Sequence, residues 1–148
     1  EYCFYRVLRI SLGQAASPAR QQGPRHTAKR ELRQAAIDLL TVVADYGQRD
    51  AASRARAFDA GKACFGKWAE AHRFESKDRY SLRALERSLD ILMALNGKGR
   101  RVIVRAVTAV AVHDNRVTSA ETELIRTVCA SLDVPLPLSI VARGNGSE

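Results

Sequence analysis

An all-α domain of five or six helices is the fold this sequence predicts, on three observations. Apolar residues recur at three- and four-residue steps through most of the chain. No stretch alternates apolar and polar residues as a half-buried strand would. Glycine and proline gather between the periodic stretches, where they mark turns.

The elements follow in order. Residues 1–12 place Phe4, Val7, Leu8 and Leu12 at helical spacing and read as the remnant of a helix from a first half-unit. The chain opens here with no initiator methionine and no signal-peptide layout, so it reads as a fragment of something larger. Residues 13–26 carry Gly13, Pro18, Gly23 and Pro24 and read as a linker. Residues 27–138 then form the main helical domain. Its first helix, over 27–46, has one apolar stripe at Leu32, Ala36, Leu39, Leu40 and Val43. Thr27 is a candidate cap, and Gly47 is a plausible stop.

The second helix, over 50–66, is alanine-rich, with Asp50 as its cap and Phe58 and Phe65 a helical distance apart. Gly61 inside it costs about 1 kcal/mol relative to alanine, or permits close packing. The stretch after it, "KWAEAHRFESKD", reads either as an extension or as a short turn. Leu82, Leu85, Leu89 and Leu92 form a clear seam over 81–95, which "NGKG" ends. "RRVIVRAVTAVAV" is apolar on nearly every side. Its length and alanines favour a buried central helix over a strand. The last helix spans 118–132, ended by Pro135 and Pro137, and 139–148 reads as a disordered tail.

Composition narrows the functional classes. The 148 residues suit one domain, able to bury roughly 70% of its unfolded surface. Net charge is +8, which favours anionic neighbours. The cations gather at Arg20, Arg25, Lys29, Arg30 and Arg33, and again at Lys98, Arg100, Arg101 and Arg105. A solvated surface is the ordinary outcome of such clusters. Aromatic residues do not interleave with them as a base-stacking platform requires, so nucleic acid is not the expected partner. Cys3, Cys64 and Cys129 form no CxxC pair, which argues for a reducing compartment and buried inert thiols. No apolar run approaches the ~20 residues of a membrane span.

The stretch "HDNRVTSAETELIR", residues 113–126, looks most like a site. Thr118-Ser119-Ala120-Glu121 has the form of a capping box, in which Thr118 and Glu121 each bond the other's backbone N–H. Asn115 suits a left-handed closure of the preceding helix, and Asp114 suits an Asx turn. Glu121 and Glu123 stand in the first turn, where the helix dipole favours negative charge. An EF-hand needs glycine at the sixth loop position and glutamate at the twelfth. Counted from Asp114, those positions are Ser119 and Ile125. A cation loop of another kind, on Asp114, Glu121 and Glu123, is the alternative to pure capping.

Other chemistry is thin. His26, His72 and His113 lie far apart and there is no HExxH, so zinc catalysis has no ligand set here. No GxSxG, P-loop or dinucleotide motif occurs. "GKGRR" at 97–101 can at most present N–H groups to an anion at a helix start. The two ends of the chain echo one another: "EYCFYRVLRISL" aligns with "ETELIRTVCASL", Glu1 matching Glu121 and Ser11-Leu12 matching Ser131-Leu132.

"EYCFYRVLRISL", "AASRARAFDAG" and "AVHDNRVTSAETELIRTVCASLDVPLP" together resemble the C-terminal region of bacterial membrane-bound zinc metallopeptidases of the HtpX type, which is TerB-like. The matching elements are Val110 to Val112, Asp114-Asn115, Val117, Thr118 and Glu121 to Arg126, then Leu132, Asp133, Pro135, Leu136 and Pro137. Asn115 stands where the family theme has glycine, and His113 where it has a small residue. The resemblance implies a TerB-like helical fold and a non-catalytic regulatory or substrate-engaging domain. Its place would be the cytoplasmic face of the bacterial inner membrane. Its partners would be its own upstream peptidase and membrane domains, protein substrates and the membrane surface. Zinc would belong to the parent's peptidase domain, with no cofactor in this chain. Two alternatives stand beside it: a TerB-like cation-binding or stress-response interaction module, and a basic module for nucleic acid or lipid head groups.

Overall fold

A computed structural model of the chain describes residues 28–75 and 82–144. The sequence readings over 1–12, 13–26 and at Thr27 lie outside the described residues. Six α-helices occur within them, and no strand. Helix α1 spans Lys29–Gly47, α2 Ala51–Lys62, α3 Leu82–Leu92, α4 Gly97–Ala111, α5 Ser119–Leu132 and α6 Leu138–Gly144. No helix among the described residues is long and apolar enough to cross a membrane.

Local chemistry sets the starts of these helices. Helix α1 begins without a side-chain cap: the Ala28 carbonyl accepts from the N–H groups of Glu31 and Leu32. Helix α2 is capped by Asp50, whose carboxylate accepts from Ser53 N at 2.9 Å; the Ser53 hydroxyl first and that N–H second hold it below its usual pKa. Helix α4 is capped by Asn96, whose side chain accepts from Gly99 N at 2.9 Å. Between α2 and α3, the stretch left open in the sequence is a turn over its described part. Two short 3₁₀ segments, Ala63–Phe65 and Lys67–Ala69, flank Gly66 at φ 78°. Phe65 and Trp68 stack there with centroids 5.3 Å apart, and Arg33 of α1 lies 5.1 Å over the Trp68 ring.

The stripes read from the sequence meet in one core. Leu39 and Leu40 of α1, Phe58 of α2, Leu89 and Leu92 of α3, Val107 and Val110 of α4, and Ile125 and Leu132 of α5 are all fully buried. Helix α1 lies against α2, α3 and α4; α4 lies against α1, α2 and α5. Burying α4 requires close neighbours, and Gly61 supplies one. A Cβ at Gly61 would collide with Val110 Cγ2 and come within 2.9 Å of the Ala106 carbonyl oxygen. That glycine therefore serves close packing of α2 on α4.

Arg100, one of the residues read as part of a basic cluster, is turned inward. Its guanidinium donates to the carbonyls of Leu95 at 2.9 Å, Met93 at 2.6 Å and Leu132 at 3.2 Å. The Met93 and Leu95 carbonyls lie just past the end of α3, and the Leu132 carbonyl ends α5, where a helix leaves its carbonyls without intrahelical partners. One side chain thus joins the start of α4 to the ends of two neighbours.

The tail read over 139–148 needs correction over its described part. Residues Leu138–Gly144 form α6, and Ile140 is 1% exposed in the core. Pro137, read as a terminator, starts this helix: its carbonyl accepts from Ile140 N and Val141 N. Proline has no N–H to lose at a helix start, so it begins helices as readily as it ends them. Helix α5 is closed one step earlier by Asp133, in the left-handed region at φ 54°.

Replacing Gly61 with alanine tests the α2–α4 contact. Helix propensity alone favours alanine by about 1 kcal/mol, while overpacking costs about 1–3 kcal/mol. We expect Gly61→Ala to lower stability in a denaturant titration, whereas a purely propensity-driven site would gain.

Candidate functional site

The joint between α4 and α5 brings the function-like residues of 113–126 into view one at a time. Helix α4 ends at Ala111, and the turn that follows closes on Asn115 at φ 60°. Asn tolerates this left-handed backbone because its short polar side chain can bond locally. Asp114 accepts from Arg116 N at 2.9 Å, the Asx-turn bond. Val117 then turns half inward against the core, and α5 starts at Thr118.

Both reciprocal bonds of a capping box are present at this start. Thr118 Oγ1 accepts from Glu121 N at 3.2 Å and donates to Glu121 Oε2 at 3.0 Å. Glu121 Oε2 also accepts from Thr118 N at 2.8 Å. The side chain of Glu121 is unusual for a cap, being only 2% exposed. Its carboxylate lies on Gly47, where a Cβ would collide with Oε1 and approach Cδ to 3.0 Å. Burial pushes the Glu121 carboxyl above its ordinary 4.5, with the nearby Asp114 charge adding to the rise and the two Thr118 bonds opposing it.

Gly47 was read in the sequence as a helix stop. It does stand last in α1, but its backbone is not left-handed, and the next residue, Gln48, is extended. Glycine is there because Glu121 needs the space. Gln48 beside it is 7% exposed, and its Nε2 has no hydrogen-bond partner among the described residues. Its backbone carbonyl accepts from Arg54 Nε at 2.9 Å, and Arg54 pairs with Asp45 at 3.0 Å. No signal within residues 113–126 points to α1. The one available signal was a glycine ending a helix next to a polar residue.

The remaining candidates separate. Glu123 faces outward and pairs with Arg126 at 3.0 Å, so Asp114, Glu121 and Glu123 are each engaged with a different partner. No group of three or more His, Cys, Asp or Glu placed to hold a metal occurs among the described residues. His113 is exposed, while His72 stands edge-on to Trp68 with centroids 6.2 Å apart. His26 and Cys3 lie outside the described residues. Cys129 is buried, which pushes its thiol up to about 11, and Cys64 is half-buried. Of the basic clusters, Lys29, Arg30, Lys98, Arg101 and Arg105 are exposed. A polar cleft of about 320 Å³, unforeseen in the sequence, lies between α1 and the turn after α2, lined by Gln34, Asp38, Thr41, His72, Arg73 and Glu75 among others.

Comparison with known proteins finds no match for this chain among family models, curated proteins or solved structures.

Two measurements probe the joint. Gly47→Ala and Glu121→Ala should each destabilise the fold, by about 1–3 kcal/mol from overpacking and about 1–2 kcal/mol from the lost cap respectively. Because both remove one shared contact, the double variant should cost clearly less than their sum; additive losses would mean that the two residues do not touch. The raised Glu121 pKa also fixes a sign. Folding favours the protonated form, so this contribution is complete below pH 4.5 and is lost as pH rises through the folded-state value. We expect wild type to lose stability relative to Glu121→Gln as pH rises from about 4.5 to 7, a window that begins at the ordinary carboxylate value. A constant offset across that range would refute it.

Proposed function

We propose that this chain is a non-catalytic, TerB-like helical domain that regulates, or presents substrates to, a membrane-anchored zinc metallopeptidase of the HtpX type. The observation that supports it is the α4–α5 joint. The last of the three segments that carry the family resemblance forms one continuous structure there: Val110 and Ala111 end α4, Asn115 turns the chain, Thr118 and Glu121 start α5, and Asp133 closes it. Among them, Glu121 caps α5 through Thr118 and rests against Gly47 at the end of α1. A joint of this kind suits a rigid surface that other domains or substrates touch.

In this reading the chemistry lies in the parent's HExxH segment, and zinc binds there. The residues of this chain supply shape and contacts. A cation-binding role centred on Asp114, Glu121 and Glu123 is less well supported, since two of the three carboxylates already accept backbone N–H bonds and the third is ion-paired.

The purified chain should leave unfolded casein intact, with or without zinc. Zinc-dependent hydrolysis that disappears on substituting His72 or His113 would overturn the assignment. The coding sequence upstream of Glu1 tests the parent directly: an HExxH between membrane spans is the expected finding, and a different domain there defeats it.

A further inference from the structure

The outward face of α4 carries cations and no acid. Lys98, Arg101 and Arg105 stand at i, i+3 and i+7, so they share one stripe, about 10 Å long at the helical rise. All three are exposed. Farther along the stripe come Ala109 and Val112, uncharged and half-buried. On the helices packed against α4, Asp59 of α2 pairs with Lys62 and Glu123 of α5 with Arg126, each at 3.0 Å, while Asp133, which follows α5, is exposed. No ion pair joins the three stripe cations to another described residue.

The placement also works against α4 itself. Lys98 and Arg101 lie near its N-terminal end, where the helix dipole disfavours positive charge, and α4 has no acidic residue to offset them. A cation-only surface that its own helix disfavours is complementary to an external anion.

Two observations choose the anion. The stripe has no aromatic side chain to stack a base and no Asn or Gln to read one. One exposed apolar side chain stands at the same end of α4. Met93 is 44% exposed, and its carbonyl is held by Arg100 Nη2 at 2.6 Å, which puts it at the same end of α4 as Lys98 and Arg101. Cations that meet head groups beside apolar groups that enter the acyl boundary are the makings of an interfacial lipid contact.

We propose that the outer face of α4, with Lys98, Arg101, Arg105 and the neighbouring Met93, docks this domain on an anionic lipid bilayer. The proposal concerns this chain alone and goes beyond the accessory-domain assignment, so either can fail without the other.

Vesicle co-sedimentation tests it. The purified chain should bind phosphatidylcholine vesicles that contain phosphatidylglycerol, ignore pure phosphatidylcholine, and release as salt is raised. Each cation near an anionic surface is worth roughly a fivefold factor, so the triple variant Lys98→Ala, Arg101→Ala, Arg105→Ala should lose about a hundredfold in partitioning. Its helical circular dichroism should be unchanged, because the three side chains are exposed. Met93→Ser should lose a smaller, few-fold amount. The pair Arg83→Ala, Arg87→Ala, exposed on α3, should stay near wild type, since net charge alone does not define the face. No vesicle binding, an unaffected triple variant, or an equal loss per charge in the α3 pair would each overturn the proposal. So would binding to duplex DNA in preference to vesicles with the same sensitivity to the triple variant.

Discussion

Glu121 holds together parts of the chain that are far apart in sequence. Its carboxylate caps its own helix through Thr118, and its outer edge rests on Gly47 at the end of α1. A capping carboxylate normally keeps solvent contact and contributes about 1 kcal/mol. Here it is taken out of water, which disfavours its charged form, and the two Thr118 donors offset part of that cost. The result is a contact between α1 and α5 that does not depend on apolar packing. The acids of residues 113–126 are therefore best understood as parts of a joint. Arg100 does the corresponding work at the other end of α4, where it gathers carbonyls from α3 and α5. Between these two ties, α4 sits closely against α2 because Gly61 has no side chain.

Much of this was legible in the sequence, and the reasons are local. The leucine seam of α3, the apolar length of α4 and the Thr118–Glu121 spacing each carry their meaning within a few residues. What could not be read was anything that depends on a distant partner. Gly47 looked like a helix stop because glycine often is one. Its true neighbour lies in α5. Arg100 looked like one more surface cation, since nothing in "GKGRR" reveals that three carbonyls wait for it. Helix α6 is not legible in the sequence because Pro135 and Pro137 read as an ending, whereas Pro137 also offers its carbonyl to a new helix.

The candidate site divides in the same way. The capping residues Asn115, Thr118 and Glu121 could be chosen from their order along the chain, because a helix start and stop are short-range events. The polar cleft beside His72 could not, because it joins α1 to the turn after α2 across more than thirty residues of sequence. Charge behaves likewise. Two basic clusters are plain in the composition, yet only the fold shows that one member of the second turns inward while its neighbours form an outward stripe.

The contact between Gly47 and Glu121 has a consequence for how this protein can change over time. Any side chain gained at position 47 would occupy the volume that the carboxylate now fills. Lineages that lose the glycine must shorten or redirect residue 121 as well, and with it surrender the reciprocal cap of α5. The two positions should therefore drift as a linked pair, with glycine at one wherever a long acidic side chain persists at the other.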